Sequence, residues 1–527
     1  MFFFLTQINK KIRTDFEHQP KKLFLLLFLP ALAHAQTAEL NDSNIQTERE
    51  ISLQKQLISE KENRVLVEQN NEMPQTQAAQ QTVLNDEDLL RQPELLKNWL
   101  QQALNSQDAD LIESLANTYQ KVNDADENLL RHARATVARL RGDYATAVRE
   151  FKNLHQSKPQ DERIALDTAQ TLFEDKQWKT ADGIFAQVAA QNDVPQAVRD
   201  NIQPYRQAIA KQQSWQFGGS VNVSRDANVN QVPEPYCTPI ACVSPKKEVA
   251  TGVNYSLWAE KNTNLTGNHN LLFRSHFAGT TYYWSKKSEY DQAFGRAFLG
   301  WQYQSAKTQV NVLPFYQWQL AGSDAWENKE PRSHTFNSDL LASAWGVQTA
   351  WTQTLSPSWQ SHFSAEWYQQ RYRPQEKDAY YSGQQYSASA NLRHALNRNH
   401  MISAGWSVGL FRPKQKTINA HSNHNAFHRN SVHAAWFAQW QALGGLQSQI
   451  SASYTDRRYR GAVLNHDFQS QRRHNRETAL SASFAHPKIQ AFGLTPKLVW
   501  ERQSIKSSHK WAERQQNSVY LAIDTAF

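Results

Sequence analysis

The sequence predicts a multidomain α + β protein: an N-terminal all-α repeat solenoid followed by a C-terminal 14-stranded antiparallel transmembrane β-barrel. Three observations carry that reading. From Ser214 onward apolar residues recur at every second position, as expected where lipid-facing and lumen-facing side chains alternate. Before Ser214 the apolar period is helical, and one set of residues repeats after 34 positions. Within the alternating region, short connections take turns with long polar ones.

Composition is consistent with this. The chain has 527 residues, 40% of them hydrophobic and 11% aromatic, enough apolar surface to exclude a wholly disordered chain. Its mean hydropathy of −0.71 argues against a helical membrane protein. Outside one N-terminal segment there is no charge-free apolar run of the length a spanning helix needs.

Residues 1–35 read as a signal peptide. Lys21 and Lys22 precede the apolar stretch LFLLLFLPALAHA, whose Ala33-His34-Ala35 end has the small-residue cleavage pattern. That stretch is too short to cross a hydrocarbon core of ~30 Å as a helix, so export is expected, with the mature chain starting at Gln36. No Cys follows the cleavage pattern, so the chain is not expected to be lipidated itself. Residues 36–88 form a Gln/Asn/Glu-rich segment without Trp, Phe or Tyr. With little apolar surface to offset ordering entropy, a flexible extension is expected.

Residues 89–213 read as a helical domain. Leu95, Leu96, Trp99, Leu100 and Leu104 share a helical face. Tyr144, Ala147, Phe151 and Leu154 are matched 34 residues later by Trp178, Ala181, Phe185 and Val188, the period of tetratricopeptide (TPR) repeats. Ala147 and Ala181 would let paired helices approach closely while Tyr144, Phe151, Trp178 and Phe185 fill the space between neighbours. The helices from residue 93 to about 122 would begin the stack, since repeats need neighbours to bury their faces. A linker is expected near 203–213.

Residues 214–527 read as the barrel. Alternating sets such as Val253/Tyr255/Leu257, Leu299/Trp301/Tyr303, Trp345/Val347/Trp351 and Trp406/Val408/Leu410 mark fourteen strands, the last of which ends on Phe527. A terminal aromatic strand of this kind resembles the assembly signal of bacterial outer-membrane barrels, which would make the barrel assembly machinery a partner. The expected short turns centre on Gly267, Ala306, Pro357, Arg398 and Gly444-Gly445; the expected long loops lie around 225–248, 321–337, 412–428 and 458–474. Short periplasmic turns alternating with long outside loops are an outer-membrane pattern, and an even strand count would leave the helical domain in the periplasm. Trp345, Trp351, Trp436 and Trp440 suit interfacial girdles. Pro314 and Pro496 fall inside strands although proline cannot donate to a ladder.

Residues with chemical potential are few. Cys237 and Cys242 lie in the first long loop, and an oxidising compartment favours a local disulfide between them. His421, His424, His428 and His433 would suit Zn²⁺ or haem, but a solvated polar loop accounts for them, and no metal or other cofactor is expected. The net charge is +8; Arg225, Arg371, Arg373, Arg412, Arg457, Arg458 and Arg460 fall at predicted outer strand ends, suited to phosphates of lipopolysaccharide or an acidic cargo surface. Nucleic acid is the wrong compartment. No Walker loop, GxSxG elbow or HExxH is present, and no enzymatic activity is expected.

Signal, TPR stack and barrel together resemble the surface lipoprotein assembly modulator (Slam) family. The local match is at the barrel entrance, where Asp226, Asn228, Val229 and Asn230 form a D-x-N-V-N run followed by Gln231. The resemblance implies an outer-membrane translocator that brings lipoproteins to the cell surface, among them transferrin-, haemoglobin- and complement-regulator-binding ones. It implies that the TPR domain receives cargo and the barrel passes it on, in a monomeric protein in contact with outer-membrane lipid. The alternatives are a TPR-barrel polysaccharide export porin and a passive porin.

Overall fold

The computed structural model describes residues 89–285, 287–322, 338–418, 421–489 and 495–526. The expected signal peptide, the 36–88 extension and Phe527 lie outside them. Seven helices come first: α1 (Pro93–Ser106), α2 (Ala109–Tyr119), α3 (Glu127–Leu140), α4 (Tyr144–Ser157), α5 (Glu162–Glu174), α6 (Trp178–Ala189) and α7 (Gln196–Gln213). Four of them begin where the sequence supplies an aspartate cap. Asp108, Asp126, Asp143 and Asp161 accept hydrogen bonds from backbone N–H groups in the first turns of α2, α3, α4 and α5. Those donors would otherwise be orphaned. Helix α6 has no such cap of its own.

The helices pack as antiparallel pairs around the repeated residues. Ala147, Phe151, Ala181 and Phe185 are buried, as is Trp178, and Tyr144 is half-buried. Tyr205 of α7 stacks on Phe185 with ring centroids 5.1 Å apart and meets Phe173 edge-on at 5.0 Å. The segment expected as a linker at 203–213 is therefore the second half of α7, because Ile202, Tyr205 and Ile209 recur at helical spacing and close the stack. Two polar links join successive repeats through α3 and α5. His132 Nε2 lies 2.7 Å from Asp167 Oδ2, and Arg139 Nη1 donates to Glu174 Oε1 at 2.9 Å. Burial pushes the Asp167 carboxyl up, but the His132 hydrogen bond and nearby arginines outweigh it and hold it below the usual carboxylate range.

Helix α7 passes through Ser214 into β1 of a closed barrel. Its fourteen strands are β1 (Trp215–Asp226), β2 (Ala250–Thr266), β3 (His269–Thr281), β4 (Gln292–Gln304), β5 (Thr308–Gly322), β6 (Ser338–Ser356), β7 (Trp359–Tyr372), β8 (Gly383–Ala395), β9 (His400–Pro413), β10 (Phe427–Trp440), β11 (Leu446–Leu464), β12 (Ser470–Ala485), β13 (Thr495–Ser507) and β14 (Arg514–Ala526). Each pairs antiparallel with its sequence neighbours, and β14 returns to β1.

The apolar sets read from the sequence lie on the outside. Leu257, Leu299, Trp345, Trp406, Val432 and Val519 are exposed on the outer wall, which lipid requires of a barrel whose backbone groups are satisfied within the ladder. Aromatics form two girdles. Trp351 meets Phe363 near the turn end, and Trp345 meets Trp367 six residues nearer the loop end.

Two details depart from expectation. The connection expected over 458–474 is mostly strand: β11 continues to Leu464, a bulge between Arg458 and Ala462 bends it, and β12 starts at Ser470. Polar residues such as Arg458 lack an apolar signal, yet Arg458 pairs with His428 and His474 on the two neighbouring strands. Pro314 is tolerated inside β5 because the β4–β5 register is interrupted there, and Gly300 opposite leaves room for its ring. Pro496 sits just before the β12–β13 register begins.

Because Ala181 is fully buried between paired helices, Ala181→Leu should overpack the stack and destabilise it by about 1–3 kcal/mol. The helical circular dichroism signal of the detergent-solubilised protein should then be lost at lower urea.

Candidate functional site

The helical domain meets the turn end of the barrel at the β2–β3 and β4–β5 turns, through hydrogen bonds. The orphaned N–H of Lys179 in the first turn of α6 donates to Asn264 Oδ1 of β2 at 3.0 Å. The barrel thus supplies the cap that α6 lacks. Asn264 is fixed for this purpose, its Nδ2 donating to the Gly267 carbonyl at 2.9 Å and to Asn270 Oδ1 at 2.9 Å. Asp175, at the end of α5, receives the next two turns. Asn268 Nδ2 donates to its backbone carbonyl at 2.7 Å, and the Ala306 N–H donates to its Oδ1 at 3.2 Å. Gln177 Nε2 steadies Asp175 Oδ2 at 2.9 Å, and Lys152 Nζ steadies Gln177 at 3.0 Å. Lys307 of the β4–β5 turn reaches Gly142. The Asp143 carboxyl beside it is held below its usual range by hydrogen bonds from Thr146, with a smaller contribution from the Lys307 charge.

The lumen has two kinds of wall. From β3 to β7 it is bulky: Leu272, Phe298, Leu313, Phe315, Ala344 and Tyr368 form one buried cluster. Arg296 lies among them, fully buried, donating to Glu366 Oε2 at 3.0 Å and, through Nε, to Gln317 Oε1 at 3.0 Å. Gln348 donates to the same Glu366 oxygen at 3.1 Å, and the Phe315 ring centroid is 4.3 Å from the guanidinium carbon. From β7 to β12 the lumen face carries pairs of small hydroxylated residues among larger ones, including Arg393, Arg429, Arg457, Phe411, Phe427 and Tyr459. Ser364 pairs with Ser389, Ser431 with Thr455 and Ser451 with Ser481, all at 2.7 Å. Gly405 and Gly409 lie on the same wall, where an added Cβ would collide with His433 and Arg429. The first wall is a packed apolar block around an ion pair; the second interleaves hydroxyl pairs with arginines and aromatics.

At the loop end the D-x-N-V-N run forms a knot of side-chain to backbone bonds. Asp226 Oδ1 accepts from the Asn228 N–H at 2.8 Å. Asn228 spans the turn, its Nδ2 donating to the Val232 carbonyl at 2.8 Å and its Oδ1 accepting from the Val232 N–H at 3.0 Å. Asn230 ties the return limb through the Lys246 carbonyl and the Glu248 N–H, each at 3.0 Å. Val229 is buried with Ala250 and Tyr282. Further along the loop, Cys237 and Cys242 face each other in a two-residue hairpin with their sulfurs at bonding distance.

The other residues singled out from the sequence are dispersed. Arg225, Arg371, Arg373, Arg412, Arg458 and Arg460 are exposed, whereas Arg457 turns into the lumen and donates to Glu477 Oε2 at 3.1 Å. Arg457 departs from the outer-surface expectation because it shares the face of Thr455 and Tyr459, two residues away on either side. His421 sits on an exposed hairpin, His428 on the outer wall and His433 in the lumen beside Asn391. Among the described residues no three His, Cys, Asp or Glu side chains gather as a metal site. Asp175, Asn264, Asn268, Arg296 and Glu366 were not singled out, and the one sequence hint was Gln177 standing where Asp143 caps the preceding repeat.

A family model described as "Surface lipoprotein assembly modifier" matches residues 215–527, and another described as its "N-terminal TPR repeats" matches residues 82–185. The chain belongs to the surface lipoprotein assembly modifier family. It is 38% identical to surface lipoprotein assembly modifier 2 of Neisseria meningitidis serogroup B (strain MC58), covering 84% of this chain and 88% of that one. It is 28% identical to the surface lipoprotein assembly modifier of Pasteurella multocida (strain Pm70), over 85% and 86%. The hemophilin secretion modulator of Acinetobacter baumannii is 23% identical, over 75% and 77%. A bacterial polysaccharide outer-membrane secretin shares 10% identity at a TM-score of 0.33, covering 60% of this chain and 98% of its own; a likeness that remote carries no functional information. Family membership places the chain at the outer membrane, in the assembly of surface lipoproteins.

Two outcomes follow from this geometry. Asn264→Ala with Asn268→Ala should free the helical domain from the barrel without unfolding either. Spin labels at Lys158→Cys and Arg398→Cys, both exposed, should give a narrow distance distribution in the parent and a broad one in the variant. Glu366→Ala strands the buried Arg296 charge and should cost about 3–5 kcal/mol, more than replacing both partners by Leu. The temperature at which the barrel loses its folded mobility in SDS gels should rank the variants in that order.

Proposed function

We propose that the helical domain lies in the periplasm, receives lipid-anchored client proteins there, and hands them into the barrel lumen for passage to the cell surface. The observation that carries this reading is the junction: Asn264, Asn268 and Ala306 hold the helical domain on the turn end of the barrel, so a client bound there is already at the lumen entrance. Prepaid positioning of this kind raises the effective concentration of the client at the pore. The transit path runs past the hydroxyl pairs between β7 and β12, where a moving polypeptide meets small hydroxyls that exchange hydrogen bonds cheaply. The β3–β7 block stays fixed and narrows the lumen from the other side.

The remaining features fit the same placement. Outward Arg225, Arg371, Arg412 and Arg458 suit lipopolysaccharide phosphates at the outer rim. A Cys237–Cys242 disulfide would stiffen the first outer loop, and Phe527 would serve recognition by the barrel assembly machinery. Clients would be lipoproteins such as transferrin-, haemoglobin- or complement-regulator-binding ones, handled by a monomeric barrel. No nucleotide is available in the periplasm, so folding of the client outside would bias transit outward.

The test is protease shaving of intact cells that express a lipoprotein encoded beside this protein, at equal total lipoprotein with and without it. Cleavage that depends on this protein is the expected result. A lipoprotein protected in both samples, across several candidates, would contradict delivery.

A further inference from the structure

The barrel wall is uneven at one place. Among the described residues the register between β1 and β14 runs from Gly218↔Ala526 to Val223↔Leu521, six pairs, against twelve between β1 and β2 and eleven between β13 and β14. Two of the six involve Gly218 and Gly219, which bring no side chain to a cross-strand contact. The pairing stops short of the loop end. Ser224, Arg225 and Asp226 continue the ladder with β2, and residues 514–520 continue it with β13, but these two segments are not paired with each other.

The outward side chains locate that break. Val519, Leu521 and Ile523 are apolar and exposed, whereas Gln515 and Asn517 beyond them are polar. The ladder therefore ends at the margin of the apolar band nearest the loop end, the outer leaflet in the orientation proposed above. Above the break, two side-chain bonds and one backbone bond from the adjoining loop bridge what the strand ladder does not. Gln516 Nε2 donates to Asp226 Oδ1 at 3.3 Å, Arg514 Nη1 donates to Gln231 Oε1 at 2.6 Å, and the Glu234 N–H donates to the Glu513 carbonyl at 3.1 Å. Asp226 and Gln231 flank the Asn228 knot, so the D-x-N-V-N run and the glutamine after it form the β1 half of a clasp.

We propose that the β1–β14 seam is a lateral exit through which the acyl chains of a lipid-anchored client pass from the lumen into the outer leaflet, with the 226–231 turn as its clasp. The inference rests on the delivery reading. Its physical basis is the anchor. Acyl chains carried over the outer rim would enter water, and every methylene exposed opposes the move. A route through the wall returns them from the lumen directly to hydrocarbon without crossing the outer rim. Backbone groups in lipid have no substitute partners, so strands can part only where few pairs must be broken and where polar side chains remain to satisfy the edges. The seam alone combines a short ladder, two glycines and side-chain bridges among the described strand pairs. Its flanking Val221, Val223, Val519 and Leu521 present an apolar lip to the bilayer.

The seam can be locked with a disulfide in the full-length protein. Val223→Cys with Leu521→Cys joins the last directly opposed pair, and Ala388→Cys with Val408→Cys makes the same outward lock between β8 and β9. Shaving of intact cells should report that the seam lock abolishes surface delivery, that reductant restores it, and that the β8–β9 lock does neither. Delivery by the oxidised seam lock equal to that of the β8–β9 lock would overturn the proposal. Hydrogen exchange on the parent barrel without client supplies a second, independent reading. Amides at 224–226 and 518–520 should exchange faster than those of the β8–β9 register, and equal protection would overturn the proposal as well. A parent that delivers no lipoprotein contradicts the delivery reading, and the exchange result then decides the seam by itself.

Discussion

Closure of the backbone ladder is the constraint on which everything else in this molecule depends. In a bilayer each unpaired N–H or C=O carries a cost no lipid can offset, so fourteen strands must close on themselves before any side chain matters. Once they do, alternation divides the chain's chemistry. The outer face is committed to apolar residues and aromatic girdles, and the inner face is released for function. That division explains how an overall hydrophilic chain can be a membrane protein. It also gives weight to the place where closure is least complete, since a short β1–β14 register is a departure from the one rule the rest of the wall obeys.

The helical domain depends on the barrel in turn. Four of its helices begin on aspartate caps; α1, α6 and α7 have no side-chain cap of their own, and α6 takes one from Asn264 of the barrel. A hydrogen-bond requirement internal to the repeat has been transferred to another domain, which couples the two without a large apolar interface. Polar junctions of this kind orient rather than glue. They hold the helical domain at the turn end of the barrel.

Much of the fold was legible because the bilayer imposes it residue by residue. The outward sets on every barrel strand, from Val221/Val223 on β1 to Val519/Leu521 on β14, were readable as alternation, and the 34-residue echo of Ala147 in Ala181 was readable as packing. The lumen was not. Phe294 and Phe298 share a strand with outward Leu299 and Trp301, so β4 gives an apolar signal on both faces and does not say which points in. Arg296 and Glu366 are 70 positions apart and Asp175 and Asn268 are 93 apart; each is an ordinary polar residue until the fold brings it to its partner. Arg457 and Arg458 show the limit at single-residue scale, since one step along β11 exchanges the lumen for the outside. The D-x-N-V-N run was visible as a motif, but its role as a turn knot beside the seam emerged only when β14 was seen to return to β1.

The central claim is that the client travels inside the barrel past the hydroxyl pairs of β7 to β12, and two adjacent residues of β11 can test it. Ser451 faces the lumen and pairs with Ser481, whereas Ala452 faces out. A photo-crosslinking side chain placed at one position or the other should be challenged with a client halted in transit by a tightly folded domain on its trailing end. Crosslinks from position 451 and none from position 452 are the predicted result. Crosslinks from 452 without any from 451 would mean that the client moves along the outside of the barrel, and the account would be wrong.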